Sequence, residues 1–363
     1  MREIPGDTDN TLNNDLNRHT ADRPETSDGS LTCPGDLPEG GLPRIRRSFS
    51  RLGFGLLLMH AVSLVGQVVL SAILNVFFPG WSSVQWLVWT VPFVPMYLIG
   101  LPLAVRVMRK VPAYAPGKQS ISAGEFIVIA VVCVFMMYAG NVVGLMVNSL
   151  INSFKAEVAA DPVTELLSGD NSAAKIIVAV VIGPLVEEFV FRRLLIDRMR
   201  IYGERMAVFT TAALFGLYHG NFTQMFYAFA LGLVFGYVYI RTGRLRFSAG
   251  LHIAVNFFGA VVAPELLRHA DIPSIQDALT LGPDALLDTI TPWTAAYAAY
   301  AFLIFGLSVT GLVLLCVYRK RICFGSARWE LEAGTRFKTV WINAGMALAV
   351  LFCLALTVVN SVL

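Results

Sequence analysis

Along most of the chain apolar residues come in unbroken runs, and polar residues are confined to short connections between them. A helix needs about 20 apolar residues to cross the hydrocarbon core of a bilayer. Such runs occupy 53–78, 85–105, 124–150, 174–192, 206–220, 222–240, 247–263, 292–317 and 339–361, the fifth and seventh of them short. The pattern predicts an all-α fold, a polytopic transmembrane helical bundle of about nine spans. Alternate connections are basic: "RIRRSFSR", "RVMRK", "RRLLIDRMRIYGER", "RTGRLR" and "YRKRICFGSARWE". The connections on the other side hold only Lys155, Lys175 and Arg268, and two of them, 151–172 and 264–291, are acidic. Positive charge gathers in cytoplasmic loops, so the N-terminus is expected in the cytoplasm and the C-terminus outside.

Residues 1–48 break the pattern. They are rich in Asp, Asn, Thr, Pro and Gly with almost no large apolar side chains. Such a segment cannot bury enough surface to offset its ordering entropy, and a disordered tail is expected. Residues 49–363 are then one transmembrane domain. Composition agrees with this picture: 56% of residues are apolar and 15% charged, with a mean hydropathy of +0.63. The net charge of +3 is spread over several loops and not gathered on one face, which excludes a nucleic-acid partner and leaves the lipid bilayer as the expected surroundings. The five cysteines have no regular spacing, so neither a disulfide framework nor a thiolate metal site is indicated.

Charge inside a span is the exception that needs a cause, because an ionised side chain at the bilayer centre costs roughly 2.5–3.5 kcal/mol on insertion scales. The stretch "GPLVEEFVFRRLL" places Glu187, Glu188 and Arg192 in or at the edge of the fourth span. Glu188 and Arg192 are four apart on one helix face, the acid first, which is the favourable order for an ion pair. Glu187 lies about 100° round the helix and is left for chemistry. Pro184 removes one backbone hydrogen bond beside it and can bend the helix. In the fifth span "FGLYHG" sets Phe215 and His219 on one face, and in the seventh "LHIAVNF" does the same for His252 and Asn256. A carboxylate, two imidazoles and an amide can activate a water and stabilise an oxyanion. At 1.5 Å per residue these groups meet only if the fourth helix continues into "RRLLIDRMR".

Taken together, the three motifs resemble the CPBP family of intramembrane proteases, which includes type II CAAX prenyl endopeptidases and bacterial proteins linked to bacteriocin processing and self-immunity. The family pattern EExxxR, FxxxH, HxxxN is matched by Glu187, Glu188 and Arg192, by Phe215 and His219, and by His252 and Asn256. The run "GLVFGYVYIRTGRL" between them is similar to the family's as well, and the resemblance covers roughly 173–260. It implies a helical protease domain in which Glu187 and His219 activate a water and His252 and Asn256 bind the oxyanion. Glu188, Arg192 and Phe215 would support them. It also implies a membrane-associated or CAAX-like protein or peptide substrate and a bacterial plasma membrane.

Two other functions fit the same residues. Glu187, His219 and His252 would serve a proton-coupled transporter as a relay, although paired broken helices in repeated halves are not evident. A non-catalytic immunity or scaffold protein would keep the fold alone. No cofactor is expected, since a carboxylate and an imidazole activate water unaided and there is no HExxH. Yet Glu187, His219 and His252 also have the composition of a three-ligand catalytic site for a divalent metal such as zinc. Elsewhere, His60 reads as a packed core histidine and Glu125 as an interfacial residue. Trp81, Trp86 and Trp89 read as an interface belt, and "NFT" at Asn221–Thr223 as a motif without room for glycosylation.

Overall fold

The computed structural model describes residues 40–155, 173, 175–270, 282 and 290–362, and all regular structure among these is helical. The helices are α1 (Gly41–Phe77), α2 (Trp86–Met108), α3 (Ala123–Asn152), α4 (175–202), α5 (Glu204–Tyr218), α6 (Phe222–Thr242), α7 (Leu245–His269), α8 (Pro292–Tyr318), α9 (Ala333–Val340) and α10 (Ala344–Val362). Among the described residues seven helices, α1, α2, α3, α6, α7, α8 and α10, are long and apolar enough to cross a membrane by length and composition. α4 and α5 fill the places of the other two expected spans. α4 carries Glu187, Glu188, Arg192 and Arg193 along its middle. α5 has only 15 residues, which at 1.5 Å each gives about 22 Å against a hydrocarbon core of roughly 30 Å.

Several boundaries differ from the sequence expectation. α1 begins at Gly41, inside the segment expected to be a tail, because Ile45, Phe49, Leu52 and Leu56 repeat at helical spacing and bury one face while the arginines between them point away. The tail proper, 1–39, lies outside the described residues. The short seventh run extends to His269. The ninth is split, with α9 ending before a turn in which Asn343 Oδ1 accepts the Met346 N–H at 3.0 Å and so caps α10. α4 does continue past the arginines to Tyr202.

α1 packs against α2 and α10, while α6 lies between α3 and α5, with α7 against both α6 and α4. Small residues permit the closest approaches. A Cβ on Gly140 of α3 would sit 2.5 Å from the Tyr227 Cα of α6, and one on Gly144 would sit 2.7 Å from the Thr223 carbonyl. These two glycines form a small-xxx-small pair, the usual means of bringing membrane helices together. Outward faces stay apolar, with Val68, Phe77, Met146, Phe302 and Leu351 exposed where lipid would cover them.

The end of α4 is tied down. Arg198, buried, donates from Nε to the Met108 carbonyl at 2.9 Å and from Nη1 to the Leu194 carbonyl at 3.0 Å. Asp197 accepts the Tyr239 hydroxyl at 2.9 Å, and Glu204 accepts both Arg200, at 2.7 Å, and the Gly325 N–H, at 2.7 Å. The Tyr114 N–H bonds the Asp197 carbonyl and the Leu331 N–H bonds that of Tyr202. Two basic connections thus strap the terminus of the helix that carries the paired glutamates.

The residues set aside from function are accounted for locally. Glu125 completes a capping box with Ser122 at the start of α3. Asn221 is buried and caps α6 through the Gln224 N–H. His60 packs between Tyr218, 4.4 Å between ring centres, and Phe352. The tryptophan belt is only partly realised: Trp86 is exposed, but Trp89 is buried and stacks on Phe93.

Candidate active site

α4 is not a regular α-helix where the glutamates sit. The Gly183–Glu188 segment is α-helical, and the stretches Lys175–Ile182 and Phe189–Ile196 on either side have π-type turns. Such wide turns in a helix frequently mark functional sites. Pro184 has no N–H to offer Ala179, the carbonyl five residues back in the π register. Asn256 of α7 supplies the donor instead, its Nδ2 lying 2.9 Å from the Ala179 oxygen. A Cβ on Gly183 would meet the Tyr97 hydroxyl at 3.8 Å, so α2 closes over this weakened turn.

The next turn of α4 and the facing turn of α7 make one cluster. Glu188 Oε2 pairs with Arg192 Nε at 3.2 Å, and Glu188 Oε1 lies 3.3 Å from His252 Nδ1. His252 Nε2 is 3.5 Å from Glu187 Oε2. The imidazole therefore bridges the two carboxylates. They differ in surroundings: the Glu188 side chain is 1% exposed and that of Glu187 29%. The face of the cluster that water can reach is Glu187.

Aromatic rings wall the cluster. Phe235 stacks on His252 with centres 5.0 Å apart, and Phe215 meets it edge-on at 5.7 Å. The same two rings take the Arg192 guanidinium, 5.4 Å from Phe215 and 5.9 Å from Phe235. Arg192 is fully buried, and its Nη1 and Nη2 form no hydrogen bond among the described residues. The ion pair with Glu188 and two ring faces are what hold this charge. Phe215 also meets His219, 4.8 Å between centres, and the His219 Nδ1 bonds the Phe215 carbonyl at 2.7 Å. The His219 imidazole is half-buried.

All seven residues singled out in the sequence thus fall in one region, on α4, α5 and α7. Glu188, Arg192, His252 and Glu187 are in direct polar contact, His219 joins through Phe215, and Asn256 is one turn beyond His252 on α7, bonded to the Ala179 carbonyl. Phe235, Tyr97 and Tyr218 were not singled out. Phe235 stood within the run "GLVFGYVYIRTGRL", between Gly232 and Gly236, where a Cβ would meet Ala212 of α5 at 3.0 Å and Val208 of α5 at 3.2 Å. His252 presents both ring nitrogens to carboxylates, and among the described residues no three His, Cys, Asp or Glu side chains are grouped to hold an ion.

Residues 169–258 match the family model described as Type II CAAX prenyl endopeptidase Rce1-like. Among curated proteins the chain is similar to "Membrane-embedded CAAX protease MroQ" of Staphylococcus aureus (strain USA300), 32% identical over 100 residues, which is 25% of this chain and 40% of that protein. It is also similar to "Putative membrane peptidase YdiL" of Bacillus subtilis (strain 168), 27% identical over 111 residues, 30% of this chain and 45% of that protein. The chain spans less than half the length of these relatives. No solved structure matches it. Together with the apolar helices, the matches support an integral membrane protein in which residues 169–258 are similar to the Rce1-like family.

Proposed function

We propose, from the match of residues 169–258 to the Rce1-like model, that the chain is an intramembrane endopeptidase of CPBP type using Glu187 as the general base for a water. The observation that carries this is the asymmetry of the two glutamates, with Glu188 buried on Arg192 and Glu187 open on one side and held by His252.

In this mechanism Glu188, fixed by Arg192, accepts the His252 Nδ1 proton and sets the ring's orientation. Nε2 and Glu187 then share one further proton, since a neutral imidazole bonded this way has only an acceptor left at Nε2. Glu187 takes a proton from water, the hydroxide attacks the peptide carbonyl, and the tetrahedral carbon forms as the carbonyl bond becomes an oxyanion. Glu187 then returns the proton to the leaving amine as the C–N bond breaks. His219 orients the water from the α5 side. The His252 N–H at Nε2, whose 3.5 Å contact with Glu187 is long enough to yield, and the second N–H of Asn256 are the oxyanion donors. The substrate class is a membrane-associated or CAAX-like protein or peptide.

Asn256→Ala tests the mechanism against a proton relay. Removing one oxyanion donor typically costs about 100- to 1000-fold in turnover, with substrate affinity much less changed, because the bond strengthens only as the carbonyl becomes tetrahedral. The measurement is cleavage of a membrane-inserted peptide library by wild-type and Asn256→Ala protein in detergent, with binding measured separately and proton flux followed in proteoliposomes. Unchanged cleavage removes the oxyanion role, and substrate-dependent proton flux without cleavage favours a transporter.

The same reading orients the chain in a bacterial plasma membrane with its basic connections in the cytoplasm. Reporter fusions after Lys110, Arg244 and Arg321 are expected to report the cytoplasm, and those after Ser168 and Ala285 the opposite side. An outside signal after Arg244 would overturn the orientation.

A further inference from the structure

A cavity of about 640 Å³ lies where the first turns of α1, helix α9 and the start of α10 meet, and it shares no residue with the Glu187 cluster. Ligand pockets typically measure roughly 300–1,000 Å³. Its charged lining is one-signed among the described residues: Arg46 and Arg47 from α1 and Lys338 from α9 stand around it with Ser50 and Thr335, and none of the described residues lining it is a carboxylate. The three cations are exposed, and none has a hydrogen bond, ion pair or ring contact among the described residues. Glu330, which precedes α9, is paired with Arg336 at 3.7 Å.

The floor is rigid. Gly53 and Gly345 let the backbones of α1 and α10 touch, and the Gly345 N–H donates to Ser50 Oγ at 2.9 Å. The Ser50 hydroxyl keeps its own proton and can donate it into the cavity. Three cations unpaired among the described residues, with hydroxyl donors around one space, are chemistry for a phosphate, because phosphate oxygens accept from all of them at once.

The position selects the source of that phosphate. α1 passes here from its arginines to its apolar run at Leu52, so the cavity is at the edge of the bilayer, on the side of the basic connections. Phe337 of α9 is 64% exposed. Phe54 stands beside Gly345, where a Cβ would meet its ring at 2.9 Å. These rings give an acyl chain apolar surface beside the cationic rim. Basic pockets between membrane helices on the cytoplasmic side hold anionic headgroups. We propose that this cavity binds the phosphate headgroup of an anionic phospholipid through Arg46, Arg47 and Lys338.

The test uses the full chain in nanodiscs of phosphatidylcholine containing a minority of phosphatidylglycerol, with the lipids retained on release read by native mass spectrometry. Three proteins are compared: wild type, Arg46→Gln/Arg47→Gln/Lys338→Gln, and the control Arg246→Gln/Arg319→Gln/Lys320→Gln, which loses the same charge elsewhere. Wild type and control are expected to enrich phosphatidylglycerol over phosphatidylcholine on the order of tenfold, and the first variant to lose that enrichment. Millimolar inorganic phosphate should leave the enrichment in place. Equal retention of the two lipids by wild type, or equal loss in both variants, overturns the site. Binding of inorganic phosphate with no preference between the lipids overturns the lipid assignment in favour of a free phosphate ligand. The lipid comparison on wild type decides the matter even if a variant folds poorly.

Discussion

Glu187→Gln is expected to abolish peptide-bond cleavage while membrane insertion and folded yield stay near wild type. The substitution keeps the shape of the side chain and a hydrogen-bonding partner for His252 Nε2. It removes the basicity needed to take a proton from water, because an amide oxygen is far too weak a base. General acid–base groups contribute about 10²- to 10⁴-fold, so turnover should fall by at least that range. The folded state should not suffer, since Glu187 is the exposed member of the pair and is not needed to neutralise Arg192. Cleavage of a membrane-inserted peptide library by purified, monodisperse protein measures the effect. Full activity in that sample removes Glu187 from the mechanism.

Glu188→Gln should do the reverse and act first on stability. Arg192 is fully buried with two nitrogens already lacking hydrogen bonds among the described residues, and Glu188 carries the ion pair that keeps it there. Breaking a buried pair by removing one partner costs about 3–5 kcal/mol. The expected outcome is a sharp fall in folded yield and in thermal midpoint, followed by tryptophan fluorescence in detergent. Replacing both partners with apolar residues, Glu188→Met/Arg192→Met, should recover much of the lost stability. Activity should not return, because His252 Nδ1 loses its acceptor. A Glu188→Gln protein with the wild-type midpoint would mean that the pair is not what holds this part of α4.

What the sequence made legible was whatever depends on neighbours along one helix. The Glu188–Arg192 pair follows from a separation of four residues, and the need for α4 to run past its arginines follows from rise per residue. Burial could not be read the same way. Ile45 lies on the inner face of α1, but it followed a segment rich in Asp, Asn, Thr, Pro and Gly and so fell within the expected disordered tail. Trp89 resembled its exposed neighbour Trp86 in composition, and only the packing of the surrounding helices separates them. His252 as the bridge between both carboxylates depends on α4 and α7 meeting at one height, which no local spacing specifies. Likewise, Pro184 announced a missing hydrogen bond without announcing that Asn256 would supply the replacement.

Glu187-dependent proteolysis is tested most directly by comparing the protein termini present in membranes that carry the wild-type chain with those that carry Glu187→Gln at equal abundance. With wild type, a set of new N- and C-termini should appear at membrane-associated segments, in matched pairs as hydrolysis requires, and be absent with the variant. Identical termini in the two membranes would contradict proteolysis by this residue.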